Sequence, residues 1–215
     1  MPTISQEGVR TLIIGVNAAN EAISSAINAQ TSSFANNVKE IWESPQAHEF
    51  AVRVDECINT IWGSYRARIA DLYDVLRTNV NNHNINNGDS IVMPELTMPE
   101  ASSKIASVVL DHFADGANGD ERGIRTGRDP KEAQVEFTSL ATALRDAADG
   151  AVKKAQTANA FGSSEGEAVV NAVNTFMSKF NGHMEALNEQ LNKSLGVASE
   201  NAANLESTNA QNLQQ

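Results

Sequence analysis

The residues able to do chemistry are few, and they stand apart. The four histidines lie at 48, 83, 112 and 183 and the single cysteine at 57. No His-x-x-x-His pair places two imidazoles on one helix face, and Cys57 is at no ligand spacing from any histidine. His48-Glu49 precedes Phe50 on what reads as a solvated helix face. Cys57 has no partner for an internal disulfide and falls on an apolar helical stripe, so it reads as a buried structural thiol rather than a nucleophile. Asp115-Gly116-Ala117-Asn118-Gly119-Asp120 has the composition of a calcium loop. It has neither the spacing nor the glutamate at the twelfth position, which leaves a solvated loop. Phe161-Gly162-Ser163-Ser164-Glu165-Gly166 is Gly- and Ser-rich ahead of a helix, and helix amino ends attract anions. Without a lysine there or a preceding strand, the stretch reads as a corner. Met177 and Met184 are core filler. These residues imply a protein that is not an enzyme and needs no cofactor or metal.

Composition narrows the partners. A chain of 215 residues with 41% apolar content can build one helical bundle or two small domains. The formal charge of −11 disfavours nucleic acid and anionic lipid, because both require clustered Lys and Arg. The amino end has no basic region followed by a long apolar one, since Thr11-Leu12-Ile13-Ile14-Gly15-Val16 soon gives way to Asn and Glu. No classical signal peptide is expected, and no apolar run approaches the roughly 20 residues a membrane span needs. Synthesis in the cytoplasm is expected, and any export would use a signal-peptide-independent route.

Four helical stripes must position whatever the protein displays. Thr3-Ile4-Ser5-Gln6 has the form of a capping box, and the first stripe follows at Val9, Leu12, Val16, Ile23, Ile27, Phe34, Val38 and Ile41. Ala, Ser and Asn between these residues make it narrow, like a coiled-coil seam. The second stripe runs through Phe50, Val54, Cys57, Ile61, Tyr65, Ile69, Leu72 and Leu76 into an Asn-rich run that stops at Gly88. Trp62 reads as a side residue of that helix. Gly63 beside it costs about 1 kcal/mol of helix propensity and suggests close approach of a neighbouring helix. From 88 to 128 the composition becomes that of a linker, with one short helix expected from Glu100 to Ala114 that docks through Ile105, Val108, Val109 and Phe113. Asp129-Pro130-Lys131-Glu132 restarts a helix whose stripe is Phe137, Leu140, Leu144, Ala147, Ala151, Ala155, Ala158 and Phe161. The fourth stripe is Val173, Met177, Phe180, Met184, Leu187, Leu191, Ala198, Ala202 and Leu205, after which fraying is expected. No stretch alternates with period two for long enough to make a strand, so the fold class is all-α.

Two corners organise these stripes. In the first, Trp42 precedes Ser44 and Pro45, residue types suited to a helix start, and Phe50 follows eight residues after the Trp. The second repeats the pattern with Phe161, Ser163 and Val169. The chain therefore divides into a first hairpin (1–87), a linker (88–128), a second, diverged hairpin (129–207) and a tail (208–215). The first hairpin resembles the W-x-G helical-hairpin family, small proteins of the early-secreted-antigen type exported by type VII (ESX) secretion systems. The resemblance is carried by Trp42 as the turn tryptophan, Ser44 in the small position usually held by Gly, and Phe50 as the following aromatic. It is carried more weakly by Phe161, Ser163 and Val169.

The resemblance implies a non-enzymatic interaction protein, either an exported substrate or a partner or chaperone of one. Its partner would be the secretion machinery or a co-secreted protein. An intracellular adaptor or structural bundle of phage or cytoskeletal type is the alternative. Two departures matter. Family members are usually single hairpins that pair, whereas two are fused here, implying a monomer with an internal pseudo-dimer, or a homodimer. The family's Tyr-x-x-x-Asp/Glu export signal is also missing, because Ile69 follows Tyr65 and Arg77 follows Tyr73 at the fourth position. If the hairpins pack antiparallel, as family dimers do, the corners lie at opposite ends of a four-helix bundle. The linker must then run lengthwise along its side.

Overall fold

The computed structural model describes residues 4–41, 45–109, 131–158 and 164–212, with the side chains of several helix-end residues left undescribed. The chain is all-α: α1 (Gln6–Ile41), α2 (Pro45–Asn87), α3 (Glu132–Ala158) and α4 (Ser164–Asn212), with no strand among the described residues. The connection between α1 and α2 is three residues long, so the two form a tight hairpin.

Local sequence explains the ends. Ser5 caps α1: its Oγ accepts the Gly8 amide at 3.0 Å and its carbonyl accepts the Val9 amide, while Thr3, the expected cap, lies outside the described residues. With Gly8 as the third residue after Ser5 there is no reciprocal capping box, and Gln6 makes another contact instead. α2 continues through the asparagines and stops at Gly88, whose φ of 70° is the left-handed turn that only glycine adopts without strain. The Gly88 amide closes that turn on the Asn84 carbonyl at 2.9 Å. The expected cap at Asp129 and Pro130 lies outside the described residues. α4 runs to Asn212 instead of fraying at Leu205, and residues 206–212 contain neither Pro nor Gly to stop it.

The packing divides into two compact units that cut across the hairpins, each taking part of all four helices. The first comprises 1–28, 58–102 and 143–182. Val9, Leu12, Val16 and Ile23 of α1, Ile58, Trp62, Tyr65 and Ile69 of α2, Leu144 of α3, and Val173, Phe176 and Phe180 of α4 are buried there. The second comprises 29–57, 103–142 and 183–215. Its buried residues include Phe34, Val38 and Ile41 of α1, Phe50 and Val54 of α2, Phe137 and Leu140 of α3, and Met184, Leu187 and Leu191 of α4. Each unit is by itself a four-helix packing. The end of α1 and the start of α2 belong to the second unit, and the end of α3 and the start of α4 to the first.

The stripes are placed as expected, with local differences. Ala148, not Ala147, is the buried position of α3, and Leu195 and Phe176 join the core of α4. The side chains of Ala151, Ala155, Ala158, Ala198, Ala202 and Leu205 lie outside the described residues. Trp62 is a buried side residue of α2 as expected. Gly63 is not a site of close approach: a Cβ added there meets nothing within 4 Å.

The linker differs most from expectation. Residues 89–104 are extended, and only a single turn follows at Ile105–Val109, where the Val108 and Val109 amides reach the Ile105 carbonyl. The helix expected from Glu100 is therefore absent over 100–109, and 110–114 lie outside the described residues. Of the residues expected to dock, Ile105 and Val109 are buried, Val108 is half-buried, and Phe113 lies outside the described residues. The cause of the extended form is the set of side chains that hold its backbone.

Candidate functional site

Within the first unit, residues 91–102 lie as an extended strap against α1 and α2, held mainly by carboxamide side chains that bond to its backbone. On α1, Gln6 donates to the Val92 carbonyl at 2.9 Å and accepts the Val92 amide at 2.7 Å. Asn17 donates to the Glu95 carbonyl and accepts the Thr97 amide, both at 2.8 Å. Asn28 repeats that arrangement with the Glu100 carbonyl at 3.4 Å and the Ser102 amide at 3.3 Å. On α2, Asn84 clamps Ile91 in the same two-bonded way, at 2.9 and 3.0 Å. A carboxamide carries a donor and an acceptor side by side, so it can pair with a peptide group as a neighbouring strand would.

The spacing follows from two repeats that match in length. Gln6, Asn17 and Asn28 are eleven residues apart on α1, while the amides they accept, at Val92, Thr97 and Ser102, are five apart. Eleven residues are about three helical turns, so the three carboxamides share one face, and they rise about 16.5 Å. Five extended residues also rise about 16.5 Å. The strap itself repeats: Met93-Pro94-Glu95-Leu96-Thr97 is followed by Met98-Pro99-Glu100-Ala101-Ser102. Pro94 and Pro99 have no amide to offer, and neither stands where a carboxamide of α1 accepts one. Proline also holds itself and the residue before it extended.

Other groups fix the strap's register. Tyr73 donates to the Pro94 carbonyl at 2.8 Å. Asn20, fully buried, donates to the Thr97 carbonyl at 2.9 Å and accepts from the Tyr65 hydroxyl at 2.9 Å, which joins the strap to the aromatic core. Burial pushes the Tyr65 hydroxyl well above the usual phenol range, so it remains a donor at any ordinary pH. Arg66 grips the Glu100 carboxylate with two nitrogens, at 2.7 and 3.0 Å, and reaches the Met98 carbonyl at 3.3 Å. The hydrogen bonds and charge of Arg66 hold Glu100 below its ordinary value of 4.5.

The second unit holds the next stretch differently. The Asp55 carboxylate of α2 accepts the Ser103 hydroxyl at 2.5 Å and the Ile105 and Ala106 amides at 2.8 Å. One anion thus caps the turn that buries Ile105.

The residues expected to carry the corners are only partly brought into view. Phe50 is buried in α2 and packs edge-on against Phe137 of α3, with ring centroids 5.4 Å apart. Val169 is buried in α4. Trp42, Ser44, Phe161 and Ser163 lie outside the described residues, as do His112 and the Asp115–Asp120 loop. Gly162-Ser163-Ser164-Glu165-Gly166 carries the letters Gly-x-Ser-x-Gly of a nucleophile elbow, which needs a strand entering the serine. No strand exists among the described residues, and α4 begins at Ser164.

The remaining reactive groups do not converge. No group of three or more His, Cys, Asp or Glu among the described residues is placed to hold a metal ion. Cys57 is half-buried rather than fully buried, and burial pushes its thiol up to about 11. His83 pairs with Asp89 at 2.9 Å and lies against Asn87 at the end of α2. No described helix is long and apolar enough to cross a membrane.

The carboxamide clamps were missed in the sequence because Gln and Asn beside an apolar stripe read as flanking polar residues. The eleven-residue spacing and the Met-Pro-Glu repeat were the available signals. No protein-family model, curated protein or solved structure matches the chain.

Proposed function

We propose that the protein is a non-enzymatic helical interaction protein of the type VII secretion class, acting as an exported substrate or as a partner of one. The observation that carries this reading is the packing of Phe50 on Phe137. Phe50 is the aromatic that follows the turn in the W-x-G pattern, and here it is covered by an aromatic of the second hairpin. A hairpin exposes an apolar seam that needs a second hairpin, and in this chain α3 and α4 supply that cover in cis. The missing Tyr-x-x-x-Asp/Glu signal favours the partner role, in which another protein carries the export signal.

The test compares culture supernatants of wild-type cells with those of cells lacking the secretion ATPase. ATPase-dependent appearance of the protein, or its ATPase-independent retention in complex with a protein that is itself exported, supports the reading. Equal amounts in both supernatants, with no exported protein bound, would overturn it in favour of an intracellular adaptor.

A further inference from the structure

Three asparagines of the chain, at 87, 118 and 181, are followed by glycine. In such a pair no Cβ hinders attack of the glycine nitrogen on the asparagine side chain, so the pair is prone to deamidation. Asn118 lies outside the described residues. Asn181 sits inside α4 between buried Phe180 and Met184, where the pair is freed only by unfolding a stretch of core helix. Asn87 is different: it is the exposed last residue of α2, and Gly88 follows it at a φ of 70° with nothing within 4 Å of an added Cβ. After Val80 no residue of α2 is buried, so hydrogen bonds rather than core packing hold the end of the helix. An end held in this way opens at a small cost in free energy.

In the closed cap both reacting groups are engaged. The Gly88 amide donates to the Asn84 carbonyl at 2.9 Å. The Asn87 side chain is turned back by one helical turn, where its Nδ2 donates to the His83 carbonyl at 3.0 Å and lies 3.1 Å from His83 Nδ1. His83 Nε2 is in turn 2.9 Å from Oδ2 of Asp89, the residue after Gly88. We propose that Asn87 is a deamidation site gated by this cap, with the His83 ring as the latch between Asn87 and Asp89. When the cap opens, the Gly88 nitrogen gives up its proton and bonds to Asn87 Cγ, the Cγ–Nδ2 bond breaks, and ammonia leaves with that proton. Water then opens the succinimide at either carbonyl, to aspartate or isoaspartate. Both products weaken the cap. A carboxylate cannot donate to the His83 carbonyl, and it adds negative charge beside Asp89 at a helix carboxyl end, where the backbone dipole disfavours it. Isoaspartate also inserts one more backbone atom between α2 and Ile91, which Asn84 clamps. The site is independent of the secretion role proposed above.

The experiment incubates the full wild-type chain and its His83→Ala variant near neutral pH and follows each asparagine by peptide mass mapping. Asn87 should lose its amide, with isoaspartate among the products, while Asn181 keeps its own. His83→Ala should quicken the loss at Asn87 about fivefold, the value of one neutral hydrogen bond, and leave Asn181 unchanged. A synthetic peptide of residues 80–92, with and without the same substitution, gives the rates in the absence of a cap, and the wild-type chain should react more slowly than its peptide. The proposal is overturned if Asn87 in the folded chain is as inert as Asn181 or as reactive as in the peptide. It is also overturned if His83→Ala brings no acceleration beyond that of the peptide. If His83→Ala loses its helical spectrum, Asp89→Ala takes its place: it leaves the ring without its partner and should shift the rate in the same direction.

Discussion

Each unit has an aromatic cluster at its centre, and the two clusters serve different ends. In the second unit, Phe34 and Phe50 meet Phe137 edge-on, with centroids 5.9 and 5.4 Å apart, and none of the three has a polar atom on its side chain. In the first unit, Trp62 stacks on Tyr65, and Phe176 lies 4.9 Å from the Tyr65 ring and 6.0 Å from Phe180. There the Tyr65 hydroxyl continues into Asn20 and through it to the strap. Trp62 Nε1 is buried with no hydrogen-bond partner among the described residues. The phenylalanine cluster holds helices together, whereas the Tyr65 cluster is also hydrogen-bonded through Asn20 to an exposed segment.

The largest expected effect breaks the first of these. Phe137→Ala removes the ring that both Phe34 and Phe50 touch, from a site 1% exposed, and should cost about 3–5 kcal/mol as aromatic deletions in cores do. A thermal or urea melt measures it, and a loss below about 1 kcal/mol would place Phe137 at the margin of the core. Asp55→Ala should cost about 2 kcal/mol, because one carboxylate accepts three hydrogen bonds around the turn at Ile105. Its signature is local: exchange at the Ile105 and Ala106 amides should rise more than at amides within α2.

Much of the fold was legible because burial has a period. Val9, Leu12, Val16, Phe137, Leu140 and Leu144 lie where their spacing put them, since an apolar face must turn inward wherever a helix forms. The linker was misread for a related reason. Ile105, Val108 and Val109 are spaced as in a helix, but they belong to a single turn, and side chains far off in sequence satisfy the backbone before it. Gln6, Asn17 and Asn28 have no hydrophobic signature, and their spacing means something only when compared with the five-residue repeat of the strap. The corner residues Trp42 and Phe161 lie outside the described residues, so the resemblance at the turns gains nothing directly from their own positions.

Smaller changes sharpen the contrast between the clusters. Tyr65→Phe keeps the ring and removes the hydroxyl, leaving the Oδ1 of buried Asn20 without the bond from Tyr65, and should cost about 1–2 kcal/mol. A cost near zero would mean that Tyr65 acts only as a ring, like the phenylalanines. Gly63→Ala, one residue from Trp62, should raise stability by about 0.5–1 kcal/mol, because a methyl there meets nothing within 4 Å and glycine is a poor helix former. A loss of stability on that change would reveal a contact at this position.

The smallest effect is one of pH. Glu100 is held below its ordinary value by Arg66, so the pair supports the strap fully above pH 4.5 and releases it as pH falls through the lowered value. Exchange at the Ser102 amide should therefore quicken in that acidic window beyond the intrinsic trend, and Glu100→Gln should abolish the extra change.

The matched repeats are tested most directly by amide hydrogen exchange resolved residue by residue on the full chain, wild type against Asn17→Ala. The wild type should show slowed exchange at Val92, Thr97 and Ser102 relative to Leu96 and Ala101 between them. Asn17→Ala should release Thr97 while leaving the helices α1 and α2 protected. Uniformly fast exchange from 91 to 102 in the wild type, or no change at Thr97 on removing Asn17, would contradict the ladder of carboxamides that holds the strap.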